Sequence, residues 1–115
     1  MGLEDLRAKA WDSAGDREVL DMLPAVDALL VATTTGLGVV TADEPTSWTP
    51  WRDVAVSRTQ AAAHFVGDWA EGALSASSMV VRCGDRTFRV SGTGQEDEGL
   101  EGFRQIALTQ GAQSV

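Results

Sequence analysis

The 115-residue sequence has one cysteine, one histidine, one lysine and three prolines, and it lacks tyrosine and asparagine. Each shortage closes off a class of protein. Cys83 alone cannot form an internal disulfide, and its place in the strand-like run 79–83 suits a small buried apolar residue. With His64 as the only histidine, neither a histidine-rich metal site nor a pair of histidines for acid–base work can be assembled. The acidic residues nowhere fall at the Asp-x-Asp-x-Asp-Gly spacing of a calcium loop, so no metal and no cofactor are expected. No apolar run approaches the roughly 18 residues that span a bilayer. Residues 1–11 carry Glu4 and Asp5 in place of a signal-peptide core, which makes a cytoplasmic address the expectation.

What is present describes an ordinary globule. Hydrophobic residues make up 43% and charged residues 23% of the chain, a balance outside the disordered and fibrous classes. A chain of this length fits one domain that buries about 65% of its unfolded surface. Seventeen acidic residues against nine basic ones give a net charge of −8, which opposes nonspecific attraction to nucleic acid or anionic lipid. Eight of the nine cations are arginine, a bias that points to a GC-rich bacterial or phage genome.

Periodicity divides the chain into a helical preface, 1–25, and a β-rich body closed by a helix, 26–112. Leu3, Leu6 and Ala10 fall at helical spacing behind the acidic pair Glu4 and Asp5. After a break at 13–16, Val19, Leu20 and Leu23 predict a second helical stripe that Pro24 stops. From residue 28 the pattern becomes strand-like: 28–33 and 37–41 flank Thr34-Thr35-Gly36, the clearest hairpin. Residues 48–58 alternate, with Val54 and Val56 facing one way and Asp53, Ala55 and Ser57 the other, and Pro50 confines the start to an edge or bulge. Runs 61–66 and 69–75 predict weaker strands, a helix over 59–66 being the alternative, and 78–83 with 87–90 flank Gly84-Asp85-Arg86. Thr93 and Glu96 have capping-box spacing ahead of a helix over 96–110, with Leu100, Phe103, Ile106 and Ala107 on one stripe and Gly111 as the stop. The expected class is α+β: a seven-stranded antiparallel curled sheet or partly open barrel, capped by a C-terminal helix.

Across residues 17–110 this order resembles the pleckstrin-homology-like (PH-like) fold, in particular the small bacterial PH-like domains. The hairpin from Ala28 through Val40 is similar to that family's apolar strand, Thr-rich turn and apolar strand. Trp51-Arg52-Asp53-Val54-Ala55-Val56 is similar to its aromatic-x-Asp-Ile/Val segment, and Thr87-Phe88-Arg89-Val90 with Leu100, Glu101 and Phe103 to its last strand and helix. The resemblance implies a binding role. Members of this fold variously bind phosphoinositides, peptides or other proteins, so the fold does not select among them.

Candidate residues are few. Gly92-Thr93-Gly94 precedes a helix as a phosphate loop does, but Glu96, Asp97 and Glu98 already occupy the positive helix end and would repel a phosphate. Cys83 and His64 can form a nucleophile–base pair only if the fold brings them together. Arg82, Arg86 and Arg89 are the one local basic cluster, suited either to gripping an acidic partner or to pairing with nearby acids such as Asp85. Trp48 and Trp51 bracket Pro50 on an expected edge strand, as buried packing or as an aromatic surface for a peptide or a second copy of the chain. The reading is a non-enzymatic protein- or peptide-binding module, self-association included, using Trp48, Trp51 and Arg52 with Arg82, Arg86 and Arg89. Its rivals are a small acidic phage structural or host-inhibiting protein, and a small enzyme built on Cys83 and His64.

Overall fold

The structure, a computed structural model, describes residues 2–60, 77–92 and 96–114. Helix α1 spans Leu3–Ala14. Asp5 in its first turn accepts a hydrogen bond from the Gly2 backbone N–H at 3.3 Å, and Gly15 ends it with φ of 59°, a left-handed conformation that glycine adopts without strain. Lys9 Nζ donates to the carbonyl oxygens of Thr41 and Glu44 at 2.6 and 2.7 Å, which fastens the helix to the loop over the sheet behind it.

That sheet is an antiparallel meander of β1 (Val19–Ala25), β2 (Ala28–Thr33), β3 (Gly36–Val40) and β4 (Ser47–Pro50), in spatial order β1-β2-β3-β4. Asp27 takes φ of 60° in the β1–β2 turn, a region that aspartate tolerates better than most residues. The Thr33 hydroxyl closes the β2–β3 turn, donating to the Gly36 carbonyl at 2.8 Å and accepting from the Gly36 N–H at 3.1 Å. Every residue of β2 is buried, because both faces of the sheet are covered. Leu29, Val31 and Val40 pack against Ala10 of α1, while Leu30, Ala32, Leu37 and Val39 face the main core.

The second sheet supplies the other wall of that core. It contains β5 (Val54–Gln60), β6 (Ser77–Cys83), β7 (Arg86–Gly92) and the two-residue β8 (Gln113–Ser114), in the order β7-β6-β5-β8, with β8 parallel to β5. Val54, Val56, Met79, Val81 and Val90 point inward. Helix α2, Glu96–Thr109, plugs the layer between the sheets with Leu100, Phe103 and Ala107, and Ile106 packs at its margin. An ion pair from Arg58 to Glu101 at 2.9 Å joins β5 to α2.

Two expectations are corrected. Residues 19–25 form a strand, not the second helix of a preface. The register of β1 against β2 shifts between Val19 and Asp21, so one extra residue sits in the strand. Val19 and Met22 therefore face α1 while Leu20 and Leu23 face the main core, and the bulge reproduces a helix-like spacing of three. The single seven-stranded sheet or barrel is replaced by two four-stranded sheets that do not close into a barrel. Pro50 and the 3₁₀ turn Trp51–Asp53 carry the chain from the first sheet to the second. The expected strands at 61–66 and 69–75, the cap at Thr93 and His64 lie outside the described residues, whereas Thr59 and Gln60 belong to β5. Among the described residues no helix is long and apolar enough to cross a membrane.

Candidate functional site

The turn after β4 sends its two tryptophans to different places. Trp51 opens the 3₁₀ turn, is only 4% exposed, and donates from Nε1 to the Thr33 carbonyl oxygen at 2.8 Å. It is a core residue, so the expected aromatic surface loses one of its two members. Trp48 sits in β4 opposite Gly38, on the sheet face that carries α1. A Cβ at Gly38 would lie 2.6 Å from the indole, so the ring rests directly on glycine backbone. The Arg17 guanidinium covers the ring with its carbon 4.2 Å from the ring centroid, a cation–π stack that leaves Trp48 half-buried.

Two open hollows meet along β4, and both are lined by Trp48, Thr49 and Pro50. One, of about 340 Å³, also takes in Arg52, Asp53, Arg82 and Gln113. The other, of about 250 Å³, takes in Arg17, Thr35 and Gly36. Gln113 Nε2 donates to the Arg52 carbonyl at 3.2 Å, so the short β8 holds the floor of the larger hollow in place. Arg52 Nε stands 4.0 Å from Asp53 Oδ2, a long contact between exposed side chains that leaves the guanidinium available to a better acceptor.

Of the six residues singled out in the sequence, Trp48, Arg52 and Arg82 are brought together. Arg86 and Arg89 are not. Three residues apart on β7, they project from opposite faces of the strand, Arg86 opposite Cys83 and Arg89 opposite Val80. Arg86 lies over the Phe88 ring at 5.2 Å and lines a hollow with Asp27, Asp43 and Glu44, whereas Arg89 lines another with Pro24 and Val26. The basic cluster of the sequence is therefore spread over three separate hollows. Arg17 and Gln113 were missed. Neither carries a local signal, but Gly36 and Gly38 in a strand do mark where another group approaches the backbone closely.

Cys83 is 5% exposed, and burial pushes its thiol up to about 11 against a small opposing pull from Arg86. The sulfur is a protonated thiol at neutral pH, the form that does not attack. Asp21 in β1 has its carboxyl raised by desolvation, with the Met22 N–H bond at 2.8 Å partly offsetting it. No group of three or more His, Cys, Asp or Glu among the described residues is placed to hold a metal ion. Comparison with protein-family models, curated proteins and solved structures finds no match.

Proposed function

We propose that the chain is a non-enzymatic protein- or peptide-binding module of PH-like character that works in the cytoplasm and engages its partner along β4. The observation that carries this reading is the side of β4 that no other strand pairs among the described residues, flanked by two hollows that share a half-buried tryptophan and hold three arginines. A four-strand meander, a three-strand meander and a plugging helix support the resemblance to PH-like domains. Half-buried aromatics and arginines are the residue types that anchor protein interfaces, and an open sheet edge offers unpaired backbone groups to an extended ligand. The protonated, buried thiol of Cys83 speaks against an enzyme that uses it as a nucleophile.

Selection of random displayed peptides on the immobilised protein tests the reading. Selected peptides are expected to bind a Trp48→Ala/Arg82→Ala variant at least about tenfold more weakly, with its circular dichroism and urea unfolding still those of a folded chain. Equal affinity for the folded variant overturns the β4 surface. A selection that enriches nothing overturns the peptide-binding reading itself.

A further inference from the structure

We infer that the partner segment is acidic and extended, and that it adds to β4 as a further strand of the first sheet; this rests on the peptide-binding reading above. A Cβ placed on Gly36 would lie within van der Waals overlap of the Thr49 carbonyl oxygen, so that oxygen points toward β3. In an antiparallel ladder both polar groups of one residue aim to the same side and those of its neighbour to the other. The N–H and C=O of Trp48 consequently face away from β3, on the side where the sheet order places no further strand among the described residues. Pro50 fits the same phase, since its missing N–H falls on that open side and leaves the β3 pairing intact. An incoming strand meets a donor and an acceptor at Trp48.

The charge of the occupant follows from what surrounds this edge. The chain carries −8 overall, yet among the described residues the two hollows beside β4 are lined by Arg17, Arg52 and Arg82 against one carboxylate, Asp53. Guanidinium groups hold carboxylates through paired N–H donors, and a segment running along β4 passes from Arg17 on one hollow to Arg52 and Arg82 on the other. Side chains of an extended strand project alternately, so every second residue reaches the same hollow. The shape and charge fit a short run in which Glu or Asp alternates with apolar residues. A second copy of this chain is the poorer occupant, because two molecules of charge −8 repel on approach.

The test uses the whole chain and fluorescein-labelled octapeptides followed by anisotropy. The first alternates Glu and Val, the second has Gln for each Glu, and the third is the Glu peptide with alternate backbone nitrogens methylated. The Glu peptide is expected to bind at least about tenfold tighter than either control, and to weaken at least about fivefold between low and high salt. Arg52→Gln/Arg82→Gln and, separately, Arg17→Gln are each expected to weaken it at least about threefold while circular dichroism stays unchanged. Equal binding of the Gln peptide overturns the acidic preference and leaves the broader peptide-binding reading standing. Equal binding of the methylated peptide overturns strand addition in the same way. More effective displacement by an oligothymidylate than by unlabelled Glu peptide assigns the arginines to a polyphosphate. Failure of all three octapeptides overturns the inference, with sedimentation then asking whether a dimer lost in Trp48→Ala occupies the edge; the broader reading falls only with an empty peptide selection.

Discussion

The indole N–H of Trp51 bonds the carbonyl oxygen of Thr33 at 2.8 Å, tying the turn that enters the second sheet to the last residue of β2 in the first. Thr33 is fully buried, and its hydroxyl closes the β2–β3 turn while its carbonyl receives the indole. One residue thus organises both the hairpin beside β4 and the crossover after it. This arrangement makes Trp51 structural, whereas Trp48 stays half-buried beneath the Arg17 guanidinium.

Replacing Trp51 separates its packing from its hydrogen bond. Trp51→Phe retains most of the ring but strands a buried carbonyl, for an expected loss of about 1–3 kcal/mol in urea unfolding. Trp51→Ala also opens a cavity, for about 3–5 kcal/mol. Trp48→Ala, at a half-buried site with an exposed cation–π partner, is expected to cost only about 1–2 kcal/mol. A larger loss for Trp48→Ala than for Trp51→Ala would reverse the assignment.

Gly38 and Trp48 should behave as a coupled pair. A methyl at Gly38 meets the indole at 2.6 Å, so Gly38→Ala must lift the ring away from the sheet and from Arg17. The expected outcome is a loss of about 1–3 kcal/mol that falls to near zero when Trp48 is already alanine. A double-mutant cycle by urea unfolding measures this directly, and additive losses would mean that the ring does not rest on Gly38. No such relief is available at Gly36, where the obstacle is the Thr49 backbone, so Gly36→Ala should stay costly in either background.

The ion pair between Arg58 and Glu101 joins β5 to α2 at 2.9 Å, but both side chains remain partly exposed. Glu101→Gln is expected to cost no more than about 0.5–1 kcal/mol, and the difference should shrink as salt rises. A salt-independent loss above that range would show that Glu101 acts through packing.

Asp21 should weaken the fold at neutral pH. Burial raises its carboxyl above the ordinary value, so the folded chain holds the proton more tightly than the unfolded chain. Its ionisation therefore removes stability as pH rises from the unfolded to the folded pKa, and the full cost applies above both. Asp21→Asn is expected to raise the melting temperature at neutral pH and to flatten the pH dependence through the carboxylate range. A lower melting temperature for Asp21→Asn would show that the charged form gains more from the Met22 N–H than it loses to burial.

Cys83 makes the corresponding prediction at alkaline pH. Its thiol titrates near 11 when folded against 9.0 as the ordinary value, so stability should be lost as pH rises across that interval. Cys83→Ala should remove this component of the pH dependence while carrying its own constant packing cost. In the wild type at about pH 8, a thiol-exchange reagent is expected to react only as fast as the chain opens. Rapid reaction with the folded protein would place the sulfur at an accessible surface.

Much of the architecture is local and was legible for that reason. The stripe Leu100, Phe103 and Ala107 predicts α2 because helical geometry alone places those residues on one face, and the structure buries all three. The hairpin of β2 and β3 follows equally from two β-prone runs around Thr34 and Thr35. Residues 19–25 misled because a bulge in β1 spaces apolar residues three apart, and only pairing with β2 distinguishes that pattern from a helix. For the site, composition marked Trp48, Arg52 and Arg82 by type, but their assembly is a tertiary fact. Trp48 and Arg82, far apart in sequence, meet because Pro50 and the 3₁₀ turn redirect the chain, and the same turn drives Trp51 into the core. Arg17 reaches Trp48 through the packing of α1 and β1 on the first sheet, a contact between distant segments that no local pattern encodes. The amino-acid order by itself determines which segments can be helix or strand, since propensity and periodicity act over a few residues. The stacking of the two sheets decides which of Trp48 and Trp51 is buried and which arginines stand beside Trp48, because burial depends on neighbours that only the folded chain brings near.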